Sequence, residues 1–425
     1  MEPNSKKMTG ISGLFRRILS GSASFARPVS SADFIPQIDG LRFLALLLVL
    51  AHHVFAAYLV HTHSLGAREL PRDWSLIWPR SPLIAWALRL WIGVPIFCVI
   101  SGFVLTIPFA RNRLRGVPPP SRKMYLLRRL IRMEPPYILN LLFLFLVIVF
   151  PWHQPHPVEY LLVRSRVFLP HLVASLLYLH AAIYRQASWV NGVAWTLEIE
   201  VQFYLLLPFL AELFRIRHTR LRRAILILLV LASTLVSLYL VQPSGSAWLK
   251  LSLPVQLQFF IAGVLLADLY LDPPRLLRFG PLAGDAMALF SATALVYALC
   301  KERLAWIQPF LIVALCLAIL RGAWASRLFR WPPLTIPGAM CYTIYLYHSF
   351  VVQRLLPVTV AMVPGGHGLL FDSALQFVLM LPPVLVVSAV LYLVAERPFM
   401  ILSHEVARRR RASRATAGAV AVARS

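Results

Sequence analysis

This chain is poor in charge. Only 14% of its 425 residues are Asp, Glu, Lys or Arg, against about 25% in an average soluble domain. Acidic residues are scarcer still, 17 against 42 basic ones, for a net charge of +25. Cysteine is nearly absent too. Cys98, Cys300, Cys316 and Cys341 fall inside apolar runs without framework or CxxC spacing, so they read as small core residues rather than disulfides or metal ligands. Residues 1–37 hold no long apolar run, so no cleavable signal peptide is expected and the first span serves as the insertion signal. What fills the sequence is apolar: 59% hydrophobic residues and a mean hydropathy of +0.71. Surface-to-volume scaling does not let a soluble domain of this length hide so much apolar surface, and disorder is excluded for the same reason. In a soluble chain the basic excess would suggest nucleic acid. Here the basic residues sit between apolar runs, which predicts a multi-pass membrane protein with no nucleic-acid partner.

A span needs about 20 mostly apolar residues. Ten segments qualify: 41–60, 84–109, 137–151, 194–214, 223–241, 252–271, 283–300, 304–320, 338–359 and 374–396. The expected fold is an all-α integral membrane protein with both termini cytoplasmic. With that topology 30 of the 42 Lys and Arg residues face inward and 9 outward, as the positive-inside rule requires. An eleventh, short segment at 169–184 carries His171 and His180. If it also spanned, the basic run Arg215 to Arg223 would face outward, so 152–193 is read as a long extracytoplasmic loop with a helix lying on the membrane. Residues 1–35, including an amphipathic stretch Ile11 to Leu19, and residues 403–425 read as mobile basic arms at an anionic leaflet. The domain proper is expected over 36–402, in the cell (inner) membrane. No internal repeat and no appended soluble domain is evident.

Ionisable groups at membrane depth are costly, so each is a candidate site. The first span contains Asp39, Arg42, His52 and His53. Arg42 and His53 are eleven residues apart, which puts them on one helix face about 16 Å apart along the axis. The fourth span opens with Trp195 and carries Glu198, Glu200, Gln202 and Tyr204. Glu198 and Glu200 point in opposite directions on a helix, so one is free to pair with an arginine while the other serves a site. Depth counting from opposite faces brings Glu200 and His53 to about the same level. The ninth span holds Tyr345 and His348, which share a face at i, i+3. Arg129 and Arg132 also share a face and can grip a polyphosphate. For each group a bland reading stays open: core histidines satisfied by neighbours, interfacial carboxylates anchored by Trp195, and arginines that only obey the charge rule. The small residues between Gly93 and Gly102 suit close helix packing.

Six segments, in order, carry a resemblance. They are Asp39-Gly40-Leu41-Arg42 with Arg42-x10-His53; Gly93 to Gly102; Arg128-Arg129-x-x-Arg132; Trp195-Thr196-Leu197-x-x-Glu200-x-Gln202-Phe203-Tyr204; Tyr342-x-Ile344-Tyr345-Leu346-x-His348; and Glu396-Arg397-Pro398. The chain resembles the membrane-bound acyltransferase 3 family of O-antigen and exopolysaccharide O-acetylases and their relatives. It departs from the family pattern at Phe43, Glu134, Glu198 and Val201. The resemblance implies acyl-CoA as co-substrate, with no permanently bound cofactor and no metal. It implies a saccharide, glycolipid or other hydroxylated acceptor, and transfer completed within the membrane domain because no esterase-like domain is attached.

The residue chemistry fits that implication. His53 is the expected general base, with Glu200 orienting it and His348 nearby. Arg42, Arg129 and Arg132 are the expected donor-binding residues. Asp39, Trp195, Gln202, Tyr204 and Tyr345 support them. The loops 61–83, with Trp74 and Trp78, and 152–193 are expected to shape acceptor choice. The alternative is a transporter or flippase using the same buried charges, but its marks, inverted repeats with matching broken spans, are not found.

Overall fold

The computed structural model describes residues 34–62, 89–117, 122–150, 157–241, 247–363, 365–403 and 405–406. The expected basic arms and the Trp74/Trp78 loop lie almost wholly outside these ranges. Every regular element among the described residues is helical. Eight helices there are long and apolar enough to cross a membrane, and they coincide with eight of the ten expected spans. These include α1 (Pro36–Thr62), α2 (Gly93–Arg115) with the 3-10 turn Arg89–Ile92 before it, and α3 (Arg122–Val149). The others are α7 (Thr219–Leu240), α8 (Leu253–Leu271), α9 (Pro281–Leu299), α10 (Gln308–Arg321) and α14 (Leu369–Leu391), which runs on through a π-turn at Tyr392–Glu396.

The remaining two expected spans form helices that fall short of that standard. The segment 194–214 yields α6 (Trp195–Leu210), only 16 residues long and about 24 Å in rise, against a hydrocarbon core of about 30 Å. The segment 338–359 yields α13 (Cys341–Met362), 22 residues long but diluted by Tyr342, Tyr345, His348, Gln353 and Arg354. Both helices carry candidate site residues. In α13 Tyr345 and His348 are buried and Tyr342 is half-buried, whereas Gln353 and Arg354 are exposed.

The stretch 158–194 differs from a surface loop. It contains α4 (Val158–Leu176) and the short α5 (His180–Tyr184). Its second half is packed into the bundle beside the middle of α3. Tyr137 Oη donates to the Ser175 carbonyl at 2.9 Å and Tyr178 Oη to Glu134 Oε1 at 3.0 Å. Asn191 Nδ2 donates to Asn140 Oδ1 at 2.7 Å and to the Leu346 carbonyl at 3.1 Å. Irregular backbone at such depth is tolerated only where protein satisfies its polar groups, and these side chains do so. α6 therefore starts inside the bundle rather than at its outer rim, which is why it is short.

Close helix crossings fix the centre. α1 is enclosed by α2, the short α11 (Trp324–Phe329), α12 (Pro332–Ala339), α13 and α14. A Cβ on Gly93 would run into the Ala45 carbonyl of α1, and one on Gly338 into the Asp39 carbonyl. Where α2 crosses α8, Gly102 and Gly263 face each other. A Cβ on Gly102 would meet the Phe260 carbonyl, and one on Gly263 the Val99 carbonyl. Small residues let backbones approach closely where no hydrophobic effect drives helices together.

At the basic end of the bundle, Arg222 and Asp268 are almost fully buried and pair at 2.5 Å, and Arg223 joins Asp268 at 2.7 Å. Two arginines of the expected inner-face run are thus committed to α8 rather than to lipid. Of the four cysteines, Cys98, Cys316 and Cys341 are buried as expected. Cys300 is exposed, because it caps the end of α9 where the chain leaves the bundle.

Candidate active site

Four helices, α1, α2, α3 and α6, converge on the start of α13 and line a cavity of about 110 Å³. Ligand pockets typically run to about 300–1,000 Å³, so this one suits a narrow chain better than a nucleotide. Three cations line it: Arg42 from α1, with Arg129 and Arg132 from one face of α3. Arg42 Nη1 bonds Asp39 Oδ1 at 2.9 Å, one turn back. Asp39 itself lies in the first turn of α1, where the helix dipole favours a carboxylate. Arg129 stands 5.9 Å from the Tyr204 ring centroid and makes no salt bridge among the described residues.

Glu200 faces this cavity from α6 and accepts a hydrogen bond from Ser101 Oγ of α2 at 3.0 Å. Tyr204, one turn on, donates to Met133 Sδ at 2.8 Å, and Tyr342 Oη donates to the Met133 carbonyl at 2.9 Å. Glu198 points the other way, as its spacing requires. Its partner is not an arginine: Glu198 Oε2 accepts from the Ala181 main-chain N–H at 3.0 Å, in the buried first residues of α5. Trp195 is half-buried at the start of α6, and Gln202 is half-buried further along it. Neither lines the cavity.

The histidines meet beyond the other end. The His53 ring on α1 and the His348 ring on α13 have centroids 5.0 Å apart. Tyr345 connects them to the cavity: it lines the cavity, its ring lies 5.5 Å from His348, and its hydroxyl accepts from Thr196 Oγ1 at 2.9 Å. His348 Nδ1 sits 2.7 Å from the Tyr345 carbonyl oxygen. A carbonyl only accepts, so Nδ1 carries the proton and Nε2 keeps its lone pair. That Nε2 is buried and bonds no other group among the described residues.

The expected contact between Glu200 and His53 is replaced by two others, Glu200 with Ser101 and His53 with His348. Tyr345 is in reach of both sets: it lines the cavity with Glu200, and its ring lies 5.5 Å from His348. Glu396 of the terminal Glu-Arg-Pro segment also acquires a role. Its Oε2 accepts from Thr343 N at 3.2 Å and from Thr343 Oγ1 at 2.6 Å. It thereby caps the first turn of α13 and fixes the helix that carries Tyr345 and His348. Sequence reasoning missed Asn140 and Asn191, which lock the irregular chain before α6 to α13. An Asn within an apolar run was the available signal, since such residues bond across helices.

A helical membrane protein with an arginine-lined cavity and a pair of facing imidazoles, one of them fully buried, has the makings of an enzyme rather than a scaffold. The family model for the acyltransferase 3 group, described as an acyltransferase domain, matches residues 35–393. The chain belongs to that family, and it is a membrane acyltransferase. No curated protein and no solved structure matches it.

Proposed function

We propose that the protein moves an acyl group, acetyl in the simplest case, from acyl-CoA to a hydroxyl of a saccharide or other hydroxylated acceptor at the cell membrane. The observation that carries this reading is the cavity itself. It has three arginines along its wall and, behind Tyr345, a histidine whose tautomer is fixed and whose Nε2 lone pair is unengaged. Arg129 and Arg132 hold the phosphates of the donor as charge-assisted partners. Arg42, braced by Asp39, lines the cavity with them and guides the narrow arm inward. The acceptor comes to the His53–His348 pair from the other side.

The imidazole pair takes the hydroxyl proton as general base, and the freed oxygen attacks the thioester carbonyl. The C–O ester bond forms and the C–S bond breaks. The departing thiolate recovers the proton from the imidazolium. Glu200, held by Ser101, sets the charge of the cavity among the arginines. Tyr345 and Thr196 position the wall between donor and base. The deciding test incubates purified protein with acetyl-CoA, with and without candidate glycans, and reads the products by mass. Acceptor-dependent gain of one acetyl group supports the proposal. Intact acetyl-CoA with every hydroxylated acceptor removes it.

The break between α4 and α6 favours one second reading, because discontinuous helices line translocation paths in transporters. Substrate movement across vesicles without consumption of acetyl-CoA would support it.

A further inference from the structure

A second cavity, of about 260 Å³, lies away from the site, between α7, α8, α9 and α10. Apart from Arg223 its wall is wholly apolar, with Ile227, Leu269, Phe310, Ala314 and Leu317 among the lining residues. α7 packs on α8 and α9 packs on α10, but α7 and α9 barely touch. The cavity lies at that gap, where Ile227 is 39% exposed. In a membrane such an opening faces hydrocarbon, and an apolar cavity of this kind takes a lipid tail more readily than water, which needs polar partners.

The rim says which lipid. Arg223 borders the cavity itself. Arg321 follows Leu317 by one turn of α10 and bonds the carbonyls of Leu269 and Leu277, both in the cavity wall. No carboxylate among the described residues forms a salt bridge with Arg321. Arg275 and Arg278 flank Leu277 and are exposed. Asp268 and Asp272 offset only Arg222 and Arg223. The excess positive charge therefore gathers where a headgroup would sit above a tail inserted in the gap. Basic pockets between spans at this end of a bundle suit anionic headgroups. We infer that this cavity and its arginine rim bind an anionic phospholipid, with one acyl chain between α7 and α9 and the phosphate at Arg278 and Arg321.

The test uses the full chain in detergent, with phosphatidylglycerol and phosphatidylcholine of identical chains added in equal amounts, and reads retained lipid by native mass spectrometry. One phosphatidylglycerol retained in clear preference to phosphatidylcholine is expected. Arg278→Gln, an exposed change that leaves the fold intact, is expected to reduce the preference about fivefold. Ala314→Phe, which fills the cavity, is expected to abolish retention of either lipid. Equal retention of the two lipids by the native chain overturns the inference. So does an unchanged preference in Arg278→Gln, which keeps the question decidable if Ala314→Phe does not fold.

Discussion

His53 and His348 stand ring to ring, 5.0 Å between centroids, although they lie on the first and next-to-last long helices of the described chain. His348 is fully buried and anchored through Nδ1 to the Tyr345 carbonyl, while His53 is half-buried. In the proposed reaction the anchored ring orients and the more open ring meets the acceptor, so the two are expected to work as one unit. Alanine at either position is expected to cut turnover by about 10²–10⁴-fold, the usual contribution of a general base. The double variant is expected to lose little more than one single variant, as groups acting together do. Acetyl-CoA binding, measured by calorimetry on the same variants, is expected to stay within about twofold, because neither ring touches the arginine cavity.

The arginines divide differently. Arg129 makes no salt bridge among the described residues, whereas Arg42 is braced by Asp39 at 2.9 Å. Removing a charge-assisted contact to a phosphate costs about 1.5–3 kcal/mol. Arg129→Ala is therefore expected to raise the KM for acyl-CoA by about 10–100-fold with kcat largely kept. Steady-state kinetics in both substrates checks this, and the KM for the acceptor is expected not to move. Asp39→Asn, by loosening Arg42, is expected to give a smaller rise in the same constant.

These sites show what the sequence made legible. Arg42, Arg129, Arg132 and Glu200 announce themselves because charge is expensive in lipid, and the structure gathers all four in one cavity. Helical periodicity located the two histidines along their own helices. Their meeting was not legible, because periodicity fixes position along a helix and not which helix faces it. The same limit hid Ser101 as the partner of Glu200. For 152–193, read as an extracytoplasmic loop, the sequence signal was of a different kind. The segment's charges and histidines argue against lipid, but they do not reveal that Asn140 and Asn191 supply a protein environment at depth.

The buried pair at the basic end is a matter of stability rather than chemistry. Arg222 is 1% exposed and Asp268 0%, and Arg222 Nη1 also donates to the Ile216 carbonyl at 2.9 Å. Breaking such a pair from one side leaves a buried charge and costs about 3–5 kcal/mol. Asp268→Asn is expected to lower the melting temperature sharply in detergent. The joint change Arg222→Met and Arg223→Met with Asp268→Leu is expected to recover most of that loss, since apolar replacements of a buried ion cluster are often neutral. Thermal unfolding of the two variants side by side decides it.

The crossing of α2 and α8 links stability to the site. Gly263 lies against the Val99 carbonyl and the Gly102 backbone, one residue from Ser101, whose hydroxyl holds Glu200. A methyl group at position 263 has no flexible side chain to push aside, only backbone, so the helices must separate. Gly263→Ala is expected to cost about 1–3 kcal/mol as overpacking does. It is also expected to lower turnover, because moving α2 shifts Ser101 away from α6. Gly93→Ala offers the contrast. Its added methyl meets the Ala45 carbonyl of α1, three residues beyond Arg42. A similar loss of stability is expected there, but the Ser101–Glu200 bond remains in place. Comparing turnover at matched folded fraction separates the two: equal activity losses would mean that the Ser101–Glu200 contact plays no part in the reaction.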